Sequence, residues 1–319
     1  MDYIDDLKDV TVFFDFNNLA IRNYMGNSDV WEDPDNIQWG LWKYNCINSI
    51  MSSLWKIKDV TEVVVAVDDI HQWRKSYYNR YKESRGKSKK KSKHDWGAIY
   101  KHMHGLAADL KHHFPFKLLK VKSAEADDII AILTRKMTND AIIIVRDEDY
   151  FQLFARKKNL RIFDPIKQVL YSPEDIPDVK DFLLGLIFMG QKKDDIPNIY
   201  TPDDWGLTES TEGKRKPGFG PSTWEKVKTD LKGFLDKGYS NKLYGGEIDL
   251  RKNMKRNRIL IDFDMIPKTI ENRIVDCYNN SYNLPPIENV YLFFEKNNMR
   301  SFLENIHKVE NKLLPLYGG

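Results

Sequence analysis

Apolar positions follow two regimes along this chain. Through about residue 172, short continuous apolar runs are separated by stretches with helical spacing; after that, helical spacing dominates. Residues 10–14, 62–67 and 141–145 are rich in Val, Ile and Phe without alternation, the pattern of strands covered on both faces of a parallel sheet. Residues 116–121 form a further strand-like run, and residues 160–163 with 168–171 predict a hairpin around Pro165. Between the strands, residues 40–55 set Ile47, Ile50, Met51 and Leu54 on one helical face. Helices are also expected at 73–81, 96–113, 124–137 and 179–189, then at 222–235, 254–260, 267–279 and 287–297. Alternating strands and helices predict an α/β domain over residues 1–190, with a mostly parallel central sheet flanked by helices. A helical C-terminal domain is expected over residues 191–319. Residues 190–220 are polar, Pro/Gly-rich and long for a loop, which points to function or disorder.

Composition narrows the class. Hydrophobic residues make up 41% of 319, enough for a sizeable core and against global disorder. The longest apolar run, residues 182–189, is far shorter than the ~20 residues that span a bilayer. Two cysteines, Cys46 and Cys277, exclude a disulfide framework and a thiolate metal site. The acidic start, residues 1–6, lacks the apolar segment of a signal peptide. A soluble cytoplasmic protein is expected, with monomer as the default. The formal charge of +3 conceals a division: residues 74–93 carry ten Lys/Arg and one acid, Glu83, a local +9 against −6 elsewhere. A cationic block on an acidic body suits a polyanionic partner; a solvated loop is the plain alternative.

The acids suggest chemistry. Three apolar runs lead into Asp15, Asp68 and Asp147, with Asp149 two residues on. Ligands of parallel sheets bind outside the carboxyl ends of the strands, and carboxylates gathered there repel unless a cation neutralises them. Glu125, Asp127 and Asp128 open a helix, and Asp194 and Asp195 follow another. Each group alone has an ordinary reading as caps and first-turn acids. Together they form an all-oxygen donor set with no Cys or His pattern, which selects Mg²⁺ or Mn²⁺ over Zn²⁺. Two such ions ~3.5–4 Å apart would serve phosphodiester hydrolysis. The histidines His102, His104, His112 and His113 lack ligand spacing, and no serine has a positioned base. The apolar tail, residues 313–319, suits either docking on the chain's own helices or a sliding-clamp peptide.

The motifs DFNN (15–18), AVDD (66–69), YKESRGK (81–87), EADD (125–128), DEDYFQL (147–153) and GQKKDDIP (190–197) resemble, in order and spacing, the 5′ nucleases of the flap endonuclease superfamily. Within it the chain is most similar to the ribonucleases H of T-even bacteriophages. ILIDFDMIP (259–267) and NLPP (283–286) extend the likeness to the tail. The resemblance implies a PIN-like core and a Mg²⁺-dependent 5′→3′ exonuclease and flap endonuclease that removes RNA primers, with Mn²⁺ able to substitute. Asp15, Asp68, Asp127 and Asp147 would line a first metal; Asp149 and Asp194 would join Asp127 at a second, with Glu125 and Asp128 completing the cluster. Lys82 and Arg85 would face the scissile phosphate, Tyr81 would stack on a base, and Arg74 and Lys75 would contact the backbone. The segment at about 74–95 would be a flexible arch for a single-stranded 5′ end, with Tyr77, Tyr78 and Tyr81 as stacking platforms, one or two of them in the core. Lys87, Lys89, Lys90 and Lys91 would track phosphates there. Gly218, Gly220, Ser222 and Thr223 match a duplex-gripping hairpin that often holds K⁺ in the family. Two departures stand out: Gln191 replaces an aspartate, which would weaken the second metal, and Ser222 replaces a lysine, which weakens the case for K⁺. About twenty extra residues follow Ile196-Pro197. The implied partners are 5′-flap or nicked DNA and RNA–DNA hybrid, with a sliding clamp or single-strand-binding protein as candidate protein partners. A PIN-like endoribonuclease and a DNA-structure-binding protein with weakened catalysis are the alternatives.

Overall fold

The apolar runs at 10–14, 62–67 and 141–145 become strands, whereas the run at 182–189 lies in a helix. In the computed structural model, which describes residues 4, 6–26, 38–207, 209–281 and 284–318, β1 (Val10–Asp15), β2 (Val60–Val67), β3 (Lys117–Lys120), β4 (Ala141–Ile144), β5 (Leu160–Asp164) and β6 (Val169–Tyr171) form one sheet in the order β3-β2-β1-β4-β5-β6. The first five strands are parallel and β6 returns antiparallel. Most of the acidic start, Asn283 of the NLPP motif and Gly319 lie outside the described residues.

The helices are α1 (Phe16–Met25), α2 (Trp39–Leu54), α3 (Trp73–Tyr77), α4 (Glu83–Lys91), α5 (Trp96–His113), α6 (Ala126–Lys136), α7 (Val179–Met189), α8 (Pro221–Val227), α9 (Leu231–Lys237) and α10 (Leu250–Ile261). They continue with α11 (Lys268–Asn279), α12 (Glu288–Lys296), α13 (Arg300–Glu304) and α14 (Ile306–Leu313), and a hairpin of β7 (Tyr239–Asn241) and β8 (Gly246–Ile248) precedes α10. Helix α1 goes beyond the expected elements; Asp15 ends β1 and also caps this helix, its carboxylate accepting from Asn18 N at 2.9 Å.

The chain forms two compact units that do not follow the expected division at residue 190. One comprises residues 1–72, 92–175 and 268–319; the other comprises 73–91 and 176–267. The C-terminal helices belong to the sheet's unit because their apolar faces complete its core. Val290, Phe293, Phe294, Phe302, Val309, Leu313 and Leu316 are buried in the cluster that holds Phe14, Val65 and Phe114. At about 1.5–3 kcal/mol per buried side chain, these seven match the ~5–15 kcal/mol net stability of a whole domain, so the segment is integral to the unit. The tail docks on its own chain: Leu316 is buried and Tyr317 Oη donates to the Pro285 carbonyl at 2.7 Å.

The second unit has its own core, built from Tyr78, Tyr81, Phe188, Ile199, Phe219, Trp224, Leu250 and Leu260 among others. Helix α7 ends at Gly190, whose φ of +68° turns the chain into the Gln191–Ile196 bridge. A Cβ there would lie 2.5 Å from the Ile196 carbonyl oxygen and 2.6 Å from the Pro197 backbone. Gly190→Ala is expected to cost at least about 1–3 kcal/mol, whereas Gly105→Ala, in α5 with open space around it, should gain up to about 1 kcal/mol; denaturant unfolding measures both.

Lys312 Nζ donates to the Ile57 carbonyl. Burial lowers its pKa to about 8, with Asp59 acting in the opposite sense. An unfolded lysine titrates near ~10.4, so between these values the unfolded chain binds the extra proton, and stability rises with pH across that window. Lys312→Met should abolish its share of that rise, seen as a smaller gain in denaturant midpoint between pH 8 and 10 than in the parent.

Candidate active site

The sheet order makes β1 the pivot: β2 and β3 extend to one side of it, β4 and β5 to the other. The crevice outside the carboxyl ends of β1 and β4 is therefore the topological switch point, where open α/β sheets bind ligands. Asp15 ends β1, Asp68 follows β2, and Asp147 lies three residues past β4. Register holds the first two together, since Asp15 pairs with Ala66 of β2.

Helix α6 brings the next acids to the same rim. Asp69 Oδ2 accepts from Ser123 N at 2.8 Å, Asp69 N donates to the Ala124 carbonyl at 2.9 Å, and Asp68 Oδ1 accepts from Ala126 N at 2.7 Å. The β2 terminus thus fastens the start of α6. Glu125 N donates to Asp128 Oδ2 at 3.0 Å. Glu125, Asp127 and Asp128 each place an oxygen so that all lie within 4.8 Å of one another, and Glu125 and Asp128 are buried. The carboxylates are held partly by the positive end of α6. Asp147 Oδ1 accepts from Asp149 N at 3.0 Å, shaping the turn that follows β4.

Tyr150 was not anticipated as part of this site. It is buried; burial, and then the charges of Asp15, Asp127, Asp147 and Asp68, push its phenol well above the ordinary value. Its signal in the sequence was position alone, one residue past Asp149. The charges of four acids distant in sequence thus act on a single hydroxyl.

The basic residues and Asp194 belong to the other unit. Within the expected flexible arch of about 74–95, residues 83–91 form α4, whose lysines are good helix formers; Lys87 pairs with Glu83 at 2.6 Å. Lys82 has φ +53° and its N–H donates to the Asp194 carbonyl at 2.9 Å. Arg85 donates to the Lys193 carbonyl at 3.1 Å and pairs with the Asp194 carboxylate. Lys75, Lys87, Lys90 and Lys91 are exposed, and Lys89 is half-buried.

Two expectations are corrected. Tyr81, expected to stack on a base, is 1% exposed in the core with Phe219 and Leu260. Arg74, expected to contact the nucleic-acid backbone, is buried; its Nε donates to the Leu260 carbonyl at 2.9 Å and its guanidinium lies over the Trp73 ring. Both serve packing, because they sit on the inward face of their segment. Tyr78 is core as well, and Tyr77 alone of the three tyrosines is exposed. Gly218 and Gly220 precede α8, with the Gly220 carbonyl accepting from Thr223 N at 2.9 Å and Trp224 N at 3.0 Å; Ser222 is exposed. Gln191 is buried and engages Ile196 through both backbone groups, at 2.8 and 3.0 Å.

Residues 10–180 match the family model of the 5′-3′ exonuclease N-terminal resolvase-like domain, more than half of the chain. The chain belongs to the 5′-3′ exonuclease family. Residues 180–309 match the model of the T4 RNase H C-terminal domain. Ribonuclease H of Enterobacteria phage T4 is 27% identical over 314 residues, covering 95% of this chain and 97% of that protein. In fold, the chain is similar to a T5 5′-exonuclease with bound divalent metal ions (zinc), with a TM-score of 0.57 and 17% identity over 85% of this chain and 98% of that one. A T5 flap endonuclease in a pseudo-enzyme–product complex with DNA and metal ions gives the same TM-score, at 15% identity over 85% and 97%. The family model and the phage relative make the chain a nuclease, and among its described residues no helix is long and apolar enough to cross a membrane.

The donor set at the rim is all carboxylate, which fits a hard divalent cation. Asp15→Asn should keep the α1 cap, since Asn caps as well as Asp, and lose one negative charge. Its metal-free melting temperature should equal or exceed that of the parent, and the rise on adding a divalent cation should shrink; thermal melts with and without the cation measure this.

Proposed function

We propose that this protein is a Mg²⁺-dependent 5′→3′ exonuclease and flap endonuclease with RNase H activity, which removes RNA primers during phage lagging-strand replication. The observation that carries the reading is the gathering of acids at the switch point, where Asp15 ends β1, Asp68 follows the neighbouring β2 and fastens the start of α6, and oxygens of Glu125, Asp127 and Asp128 lie within 4.8 Å of one another, on a chain similar to phage T4 ribonuclease H along nearly its whole length. These four acids would hold one ion. Asp127, Asp149 and Asp194 would hold a second, with Glu125 and Asp128 orienting Asp127 from the same turn. Bound there, two ions would supply Lewis acidity to the phosphate and the attacking water.

The chain's own residues supply the rest. Lys82 and Arg85 would take the scissile phosphate. Arg85 now neutralises Asp194, so substrate phosphate would compete for the guanidinium and release the carboxylate. Lys75, Lys87, Lys89, Lys90 and Lys91 would follow a single-stranded 5′ end by charge, with Tyr77 as the exposed stacking surface. The Gly218–Thr223 turn would present backbone groups to duplex phosphate.

On a labelled 5′-flap duplex and an RNA–DNA hybrid, the parent should cut both with Mg²⁺ and neither in chelator, while Asp127→Asn should be at least about 100-fold slower. Tight binding without Mg²⁺-dependent cleavage would favour a structure-binding protein; preference for free single-stranded RNA would favour an endoribonuclease.

A further inference from the structure

The insertion after Ile196-Pro197 is a folded loop with pinned ends. Asn198 Nδ2 donates to the Pro217 carbonyl at 2.8 Å, closing residues 198–217 at their base. Inside it, Trp205 and Thr211 are buried. Trp205 Nε1 donates to the Lys214 carbonyl at 3.3 Å, and Gly206 N donates to Thr211 Oγ1 at 2.9 Å. From outside, Arg80 donates to the carbonyls of Asp203 and Trp205 at 3.3 and 2.9 Å. The buried Arg256 donates to the Thr201 carbonyl at 3.1 Å and the Asp203 carboxylate at 2.6 Å. Tyr244 Oη donates to Asp204 at 3.2 Å.

This scaffolding leads to one product, three consecutive exposed cations, Lys214, Arg215 and Lys216, immediately before the Pro217–Gly218 step. Among the described residues no ion pair neutralises them. Lys216 stands near Arg80 and Arg256; partial desolvation, then Arg80, lower its pKa, with Arg256 acting in the same direction and Asp195 and Glu83 against it. A fold that fixes like charges in place incurs repulsion that a polyanion would relieve.

We infer that the loop 198–217 is a second phosphate-gripping surface, in which Lys214, Arg215 and Lys216 extend the Gly218–Thr223 turn along the backbone of double-stranded nucleic acid. The inference rests on the nuclease reading and adds a binding element to it. The Trp205 bond to the Lys214 carbonyl and the Arg80 and Arg256 clamps on Thr201, Asp203 and Trp205 fix the loop backbone that leads to the three cations, so that backbone is ordered before nucleic acid arrives. Backbone contacts of this kind set register and affinity and carry no sequence preference.

The test is binding of a 5′-flap duplex, in chelator, across a salt series. The variant Lys214→Ala/Arg215→Ala/Lys216→Ala is compared with the parent and with Lys296→Ala/Arg300→Ala/Lys308→Ala, an equal charge loss at exposed sites on the C-terminal helices. The loop variant should bind about 10-fold or more weakly at 0.1 M salt, and its log–log salt slope should fall by about 2–3. In cleavage assays KM should rise with kcat unchanged. The control variant should keep the parental slope. A slope unchanged in the loop variant, or reduced equally in both variants, overturns the inference while leaving the nuclease reading intact. Failure of the parent to bind duplex overturns both.

Discussion

Mutual repulsion among carboxylates at the carboxyl end of the sheet is the constraint to which the rest of this unit is fitted. Parallel pairing of β2, β1 and β4 places Asp15, Asp68 and Asp147 on one rim, and the bonds of Asp68 and Asp69 to residues 123–126 bring Glu125, Asp127 and Asp128 to it. Burying such groups costs free energy unless they are paired, hydrogen-bonded or bound to metal. Local bonds offset part of that cost: Asp15 caps α1, Asp68 accepts from Ala126, Asp128 accepts from Glu125, and Asp147 accepts from Asp149. Those caps also fix the direction of each carboxylate, so the same bonds that make the acids tolerable aim them.

Charge is divided between the two units. The acids of the rim lie in the unit with the sheet, while α4, Lys82, Arg85 and the Lys214–Lys216 strip lie in the other. Arg85 with Asp194 is the point at which both kinds of group meet within one unit.

The strands were legible because β-branched runs covered on both faces leave little ambiguity, and Asp15, Asp68 and Asp147 follow them directly. The grouping of Glu125, Asp127 and Asp128 was legible from the helix start they occupy. Helix α1 escaped because Asp15 was read only as the end of a strand, although an aspartate followed by Asn17 and Asn18 also caps a helix. Tyr81 and Arg74 misled for the opposite reason: an aromatic and a cation in a basic segment suggest ligand contact, but the segment is amphipathic and its inner face needs large side chains. Tyr150 could be recognised only after folding, since its role comes from four acids distant in sequence. The unit boundaries were hidden for a similar reason, because nothing local to α11–α14 says which core their apolar faces complete.

The fold gathers the rim carboxylates against their mutual repulsion. The most direct test is denaturant unfolding of the metal-free protein beside Asp127→Asn, both in chelator. The neutral variant should be the more stable of the two, because a like charge has been removed from the rim. A variant markedly less stable than the parent would contradict it and assign Asp127 to holding the fold together.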